Sequence, residues 1–131
     1  MRLDDLYLVD IIEAREEIDS MMAGASFRAF KTNRTLVAAV EMKLIIIGEA
    51  LSAMKPETRG RLPAALVQRM RGVRNRVVHG YFQVDDAMVF GMATRHAPKL
   101  AAEAEKVLAD QFADTYERLQ QRRAGEDQET T

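Results

Sequence analysis

Apolar residues recur at three- and four-residue steps along most of this 131-residue chain, a spacing that places them on one face of a helix. Residues 3 to 22 and 33 to 54 each carry one such stripe, with acids between the apolar positions of the first. The isoleucine run at 45 to 47 would suit a strand, but the period on both sides is helical. The stripe of the second segment is wide enough to be buried against more than one neighbour. The sequence therefore predicts an all-α bundle.

The second half of the chain predicts two further long helices. A loop at 55 to 63 precedes a helix that has Pro63 in its first turn and Gly80 just beyond its end, the preferred places for these residues. Asp85 or Asp86 can cap a short segment that Pro98 then interrupts or restarts, and a last helix covers about 98 to 122. We expect four main helices plus short helical segments in a single domain, residues 1–123. The polar residues 124–131 are predicted to be a disordered tail.

Composition excludes several classes of protein. The chain has no cysteine, which rules out disulfides, thiolate nucleophiles and zinc sites built on cysteine. Its longest apolar run, at 44 to 48, is too short to span a bilayer. Acids lie within the first five residues and no signal-peptide core follows them. We expect a cytoplasmic protein that does not bind membranes.

Charge is unevenly distributed, although the net charge is only −1. No Asp or Glu occurs from Thr58 to Val84, whereas the first 22 residues are rich in acids. The acid-free segment contains six arginines: Arg59, Arg61, Arg69, Arg71, Arg74 and Arg76. Guanidinium groups suit phosphate because they donate two parallel hydrogen bonds. The alternative is a solvated helix face that is paired with acids elsewhere.

The stretch RNRVVHGY, residues 74 to 81, ends the third long helix. At about 100° per residue, Leu66, Met70, Val73 and Val77 face the core, and Gly72, Asn75 and His79 lie roughly opposite. Arg74 is about 140° from His79, so it must lean around the helix or a second copy must complete a site. An interior helical glycine costs about 1 kcal/mol, which is tolerable where another backbone approaches closely. We therefore expect the face that bears Gly72 to be a homodimer contact.

His79 admits two interpretations from its position alone. Carbonyl groups at the helix end stabilise its charged form, while neighbouring arginines disfavour that form. An imidazole between these effects can exchange protons near neutral pH. It can equally do no more than cap the helix.

These residues resemble a known family. RNRVVHGY is similar to the Arg-x4-His-x-Tyr signature of HepT-like proteins, a branch of the HEPN superfamily of small helical ribonucleases. The segments AAVEMKLIIIGEALSAM, RGVRNRVVHGYFQVD and HAPKL resemble the family's second helix, motif helix and last helix. The resemblance covers about residues 3 to 120. Phe90 departs from it, since relatives often carry tryptophan there, and we interpret this as a core substitution.

The resemblance implies roles for individual residues. Arg74 and His79 would be the catalytic pair of a metal-independent endoribonuclease without cofactors, and Asn75 would support them. Arg71 and Arg76 would contact the RNA substrate. Tyr81 would be AMPylated by an MntA-like nucleotidyltransferase antitoxin, which silences the toxin in a type VII-like toxin–antitoxin pair. Family members are typically homodimers whose motif helices face each other across a basic cleft.

The chemistry that these residues would supply is simple. RNA provides its own nucleophile, the 2′-hydroxyl, so the protein needs a proton-transfer group and a cation. Two other hypotheses remain open: a non-catalytic HEPN module that binds nucleotide or docks a nucleotidyltransferase, and a purely structural helical dimer. Three side chains also have simpler interpretations. Glu49 would face solvent rather than the cleft, His96 would be structural, and Tyr81 would pack beyond the helix end.

Overall fold

Five long helices carry most of the apolar residues in the computed structural model, which describes residues 2–80 and 84–129. The long helices are α1 (Asp4–Met22), α3 (Arg34–Ala53), α5 (Ala64–His79), α7 (Ala97–Gln111) and α8 (Ala113–Glu129). Three short ones, α2 (Phe27–Thr32), α4 (Pro56–Arg59) and α6 (Asp86–Gly91), connect them. The described ranges contain no strand, and the predicted all-α class is confirmed.

Local capping explains where the first helices begin and end. Ala23 and Gly24 both have positive φ, 47° and 74°, and these left-handed residues end α1. The Ser26 hydroxyl accepts a hydrogen bond from the Ala29 N–H at 3.1 Å. The Asn33 side chain does the same for the Leu36 N–H at 3.1 Å. Helix α1 therefore ends where its predicted apolar stripe ends, and the isoleucine run is helical.

Helix α3 lies at the centre of the bundle. It packs against α1 on one side and α5 on the other, and α7 closes the core over α1. Its residues Leu44, Ile47 and Leu51 are fully buried. Burial against two neighbours accounts for the wide apolar stripe that the sequence shows in this segment.

Helix α5 ends at His79 as the sequence predicts, and it begins at Ala64, one residue after the Pro63 that the sequence predicts for its first turn. Pro63 precedes its first residue, and the Gly80 N–H closes its end by donating to the Arg76 carbonyl at 2.8 Å. Val67, Met70 and Val73 are buried, while Leu66 and Val77 are partly buried. The opposite face of α5 is open to solvent.

The chain stays helical through Pro98, where the sequence predicts an interruption or a restart. A π turn, Met92–His96, joins α6 to α7 without a break. The Ala97 N–H donates to the Met92 carbonyl, five residues back. Proline lacks an N–H, and its ring collides with the carbonyl four residues earlier in a regular helix. The wider π turn accommodates that ring.

Two corrections concern the C-terminal region. The predicted helix at 98 to 122 is divided at Phe112 into α7 and α8, so five long helices replace the four expected. Helix α8 folds back on the bundle, where Arg122 and Arg123 form ion pairs with Glu13 and Glu16 of α1. Residues 124 to 129 are helical rather than a disordered tail.

Spanning a bilayer requires a long and strongly apolar helix, and none of the helices within the described ranges meets both requirements.

Candidate active site

The motif residues occupy the last two turns of α5. Asn75, Arg76 and His79 are exposed there, and Arg74 is partly buried at the edge that faces α3. His79 forms no hydrogen bond or ion pair with any other described residue, so its imidazole is open to solvent. Tyr81, the predicted AMPylation target, lies outside the described residues.

Arg74 turns toward α3, away from His79. Its Nε donates to Glu49 Oε1 at 2.5 Å, and its Nη2 forms an ion pair with the same carboxylate. Its Nη1 donates to Asn75 Oδ1 at 2.9 Å. The structure thus brings together two of the predicted site residues, Arg74 and Asn75. It shows no contact between Arg74 and His79 in one chain.

The contacts of Arg74 leave part of its guanidinium group available. A guanidinium has five N–H donors, two on each terminal nitrogen. Nη1 and Nη2 each keep at least one N–H that the contacts to Asn75 and Glu49 do not use. The Arg74 side chain is 26% exposed. The group is therefore held from one side while donors remain for an anion such as a phosphate.

Gly48 makes this placement of Arg74 possible. A Cβ atom at Gly48 would overlap Arg74 Cβ, lie 2.9 Å from Arg74 Cγ and lie 3.2 Å from the Met70 carbonyl oxygen. The two helices approach so closely here that only glycine fits without a shift. Gly48 and its neighbour Glu49 together seat the arginine against α3.

Glu49 is the site residue that sequence reasoning missed. Its position on α3 predicts plain solvent exposure, and its side chain is 53% exposed, yet its carboxylate pairs with Arg74. The available signal was an acid directly after a glycine in an otherwise apolar segment. Periodicity cannot show that such an acid faces a particular arginine on another helix.

Arg71 and Arg76, the predicted RNA contacts, lie on opposite sides of α5. Arg71 Nε donates to Ser52 Oγ on α3 at 3.2 Å. Arg76 Nη1 lies 3.2 Å from Met88 Sδ on α6. Both side chains are exposed, and neither forms an ion pair with another described residue. The exposed face of α5 is therefore flanked by cations on both sides.

The exposed faces of α5 and α3 also have apolar or small residues. A Cβ at Gly72 would meet no atom within 4 Å, so packing inside this chain does not explain that glycine. Val78 is 44% exposed on α5, and Met42 is 56% exposed on α3. When large apolar side chains with this exposure cluster, they are typical of a surface that contacts another molecule.

His96, the second histidine, lies in the π turn and is partly buried. Burial lowers the pKa of its imidazole, and the nearby charges of Arg69, Arg95 and Lys99 lower it further. Within ranges 2–80 and 84–129, no group of three or more His, Asp or Glu side chains could hold a metal ion.

Known proteins resemble this chain over most of its length. Residues 11–107 match the family described as "Ribonuclease HepT-like". A predicted RNase of Methanocaldococcus jannaschii is 29% identical over 104 residues, which cover 79% of this chain and 86% of that protein. The "Probable ribonuclease HepT" of Thermococcus cleftensis is 30% identical over 101 residues, or 77% and 92% of the two chains. No solved structure was found to match the chain.

Proposed function

Because the chain belongs to the HepT-like ribonuclease family, we propose that it is a metal-independent endoribonuclease whose Arg74 and His79 cleave RNA. The observation that best supports this proposal is the seating of Arg74. Gly48, Glu49 and Asn75 hold its guanidinium at the edge of an exposed helix face, with donors left for a phosphate.

The proposed reaction uses the RNA's own 2′-hydroxyl as nucleophile. Its oxygen attacks the adjacent phosphorus, the P–O5′ bond breaks, and the products carry a 2′,3′-cyclic phosphate and a 5′-hydroxyl. His79 exchanges the protons: its neutral imidazole accepts one from the 2′-hydroxyl, and the imidazolium so formed returns one to the departing 5′-oxygen. Proton transfer of this kind contributes about 10²–10⁴-fold to a rate.

Arg74 would stabilise the negative charge that develops on the phosphorus-bound oxygens. In this scheme Glu49 and Asn75 are positioning residues, since they contact the arginine and not the RNA. Their hydrogen bonds fix the guanidinium before substrate arrives, so less side-chain ordering is needed on binding. Arg71 and Arg76 would contact the flanking phosphates of the RNA strand.

We infer that the working form is a homodimer whose contact surface includes the exposed faces of α3 and α5. Met42, Gly72 and Val78 supply apolar or small positions on those faces. Arg74 points toward α3 in its own chain, so a second copy of α5 would supply the partner's His79 on the other side of the phosphate. Sedimentation equilibrium should therefore give a dimer at micromolar concentration, and a monomer would contradict this inference.

The regulatory part of the proposal rests on the family resemblance. Tyr81 follows His79 by two residues, beyond Gly80. AMP groups attached there by a nucleotidyltransferase antitoxin would place phosphate beside Arg74 and Arg76, where RNA phosphate would otherwise bind. The protein would then act as the toxin of a toxin–antitoxin pair in the cytoplasm.

Incubation of the purified protein with total RNA in EDTA tests the proposed function. We expect cleavage by the wild type and by Arg118→Ala, a control that removes an exposed arginine on α8, and none by Arg74→Ala or His79→Ala. The new ends should be 2′,3′-cyclic phosphates. A strict Mg²⁺ requirement would contradict metal independence, and cleavage by His79→Ala would remove that histidine from the mechanism. RNA binding without cleavage by the wild type would favour the non-catalytic module instead.

A further inference from the structure

A second group of cations lies on the side of α5 that faces α7, apart from the contact between Arg74 and Glu49. It consists of Arg69 on α5, Arg95 and His96 in the π turn, and Lys99 in the first turn of α7. We call it the π-turn cluster. The arginines and the lysine are exposed, and His96 is partly buried.

Contacts between helices bring these residues together. Helix α5 packs against both the π turn and α7. Burial lowers the pKa of His96, and the charges of Arg69, Arg95 and Lys99 lower it further, in agreement with the packing of α5 against the π turn and α7. These are the charged groups from α5, the π turn and α7 that act on His96.

Arg76 connects the π-turn cluster to the motif. Arg69 and Arg76 are seven residues apart on α5, which places them on nearly one line along the helix, about 10 Å from each other. His79 follows Arg76 by three residues and lies about 60° further around. A polyanion that reaches His79 would therefore meet Arg76 next and the cluster after it.

The cluster's charge is not neutralised by acids of the described chain. Arg69, Arg76, Arg95 and Lys99 form no ion pair with another described residue. The four acids on the continuous helix from Asp86 to Gln111 have other partners: Asp86 with Arg34, Glu103 with Lys106, Glu105 with Arg123, and Asp110 with the Gln111 side chain. On α1, Glu13 and Glu16 pair with arginines of α8, Asp19 with Arg15 and Glu17 with Lys43. Uncompensated cations held close together favour an anion from outside the chain.

We propose that Arg69, Arg95, His96 and Lys99 form a second phosphate-binding site, which holds the RNA backbone beyond the scissile phosphate. The identity of the polyanion as RNA rests on the proposed function. A bound phosphate would relieve the repulsion among these cations, and the exposed side chains can reach a strand without rearrangement of the fold. The site would contact phosphates only, so it would strengthen binding without selecting a base sequence.

A charge-matched pair of variants tests the site. Arg95→Gln/Lys99→Gln removes two charges from the cluster, and Lys55→Gln/Arg118→Gln removes two exposed charges from elsewhere. Fluorescence anisotropy with a 2′-O-methyl RNA 12-mer in EDTA measures binding without any cleavage. We expect the cluster variant to bind on the order of tenfold more weakly at 0.1 M salt. The slope of the logarithm of the binding constant against the logarithm of the salt concentration should become shallower by about 1.4, since each of the two lost phosphate contacts contributes about 0.7. The control should match the wild type.

His96 provides an independent measurement. In His79→Ala, His96 is the only histidine, so NMR can follow its titration without overlap. Saturating 2′-O-methyl RNA should raise the pKa of His96, because phosphate would lie beside the three cations that lower it. Arg95→Gln/Lys99→Gln in the same background should show a smaller rise on addition of RNA.

Failure of this site and failure of the proposed function give different results. Weakened binding by the cluster variant, with no cleavage of unmodified RNA by any form, would support the site and contradict the nuclease. Cleavage by the wild type with unchanged binding by the cluster variant would overturn the site, and would leave the cluster as a surface for an acidic protein. Absence of RNA binding by the wild type would overturn both.

Discussion

Gly48→Ala is the change whose effect the structure specifies most closely. Alanine at an interior helical position is favoured over glycine by about 1 kcal/mol. Here the added Cβ overlaps Arg74 Cβ and lies 3.2 Å from the Met70 carbonyl oxygen. Neither is the far end of a flexible side chain, so α3 and α5 must move apart. Overpacking of this kind costs about 1–3 kcal/mol, and we expect the upper part of that range. The net loss should be about 1–2 kcal/mol.

Gly125→Ala is the matched control because a Cβ there meets no atom within 4 Å. It should be neutral or stabilising by up to about 1 kcal/mol. Urea unfolding at one fixed protein concentration compares the two, since a dimer's apparent stability depends on concentration. At a typical slope of about 1–3 kcal/mol per M, the midpoint of Gly48→Ala should fall by roughly 1 M. The midpoint of Gly125→Ala should not fall.

The same substitution should also lower activity beyond its effect on stability. Separation of α3 from α5 moves Arg74 relative to Glu49. The kcat of Gly48→Ala should therefore be reduced even at temperatures well below its unfolding transition, where the variant is folded. If Gly48→Ala is as stable as Gly125→Ala, then α3 and α5 do not approach as closely at Gly48 as described. If it is destabilised but fully active, the seating of Arg74 by Gly48 has no part in catalysis.

Substitutions at three residues test individual groups of the site. Arg74→Lys should retain little cleavage in the EDTA assay, because an ammonium cannot reproduce the planar guanidinium fork; full activity would show that charge alone suffices. Glu49→Ala should lower kcat by about tenfold, the equivalent of about 1.4 kcal/mol, without raising KM, and Glu49→Gln should recover part of the loss; an increase in kcat would identify the carboxylate as an inhibitor of Arg74. Tyr81→Phe should keep most nuclease activity and escape silencing when co-expressed with the nucleotidyltransferase, and mass spectrometry that finds AMP on another peptide would refute the assignment.

The helical class and most helix bounds could be predicted because they depend on local chemistry. Asn33 and Asp85 cap helices through their own side chains, and α5 lies between Pro63 and Gly80. The division at Phe112 could not be predicted this way. The helical spacing of apolar residues continues across Phe112. The two helices are distinct only because α8 folds back onto α1, where ion pairs hold it.

The site could be predicted in part for a related reason. The wheel of α5 places His79 and Asn75 on the exposed face, and both are exposed. Glu49 was missed because its role depends on which residues of α3 and α5 meet. That register is set by Gly48, whose missing side chain leaves the space that Arg74 occupies. An absent side chain gives no periodic signal.

The position of Arg74 also decides which subunits should build one active site. Arg74 is fixed toward α3 by Glu49, about 140° around α5 from His79, so one chain presents the two proposed catalytic groups in different directions. If a site pairs Arg74 with the partner's His79, a heterodimer of Arg74→Ala and His79→Ala subunits contains one site with both groups and one with neither. Neither homodimer, of Arg74→Ala or of His79→Ala subunits, contains a site with both groups.

Co-purified subunits with two different affinity tags isolate that heterodimer. It should recover about half of the wild-type activity per dimer, since a two-fold symmetric dimer has two equivalent sites. A random mixture of the two kinds of subunit, in which about half of the dimers are heterodimers, should recover about a quarter of the wild-type activity per dimer. Separately purified parents, mixed and assayed before exchange, are the control and should remain inactive. An inactive heterodimer would place Arg74 and His79 of one chain in the same site, and would require Arg74 to leave Glu49 during catalysis.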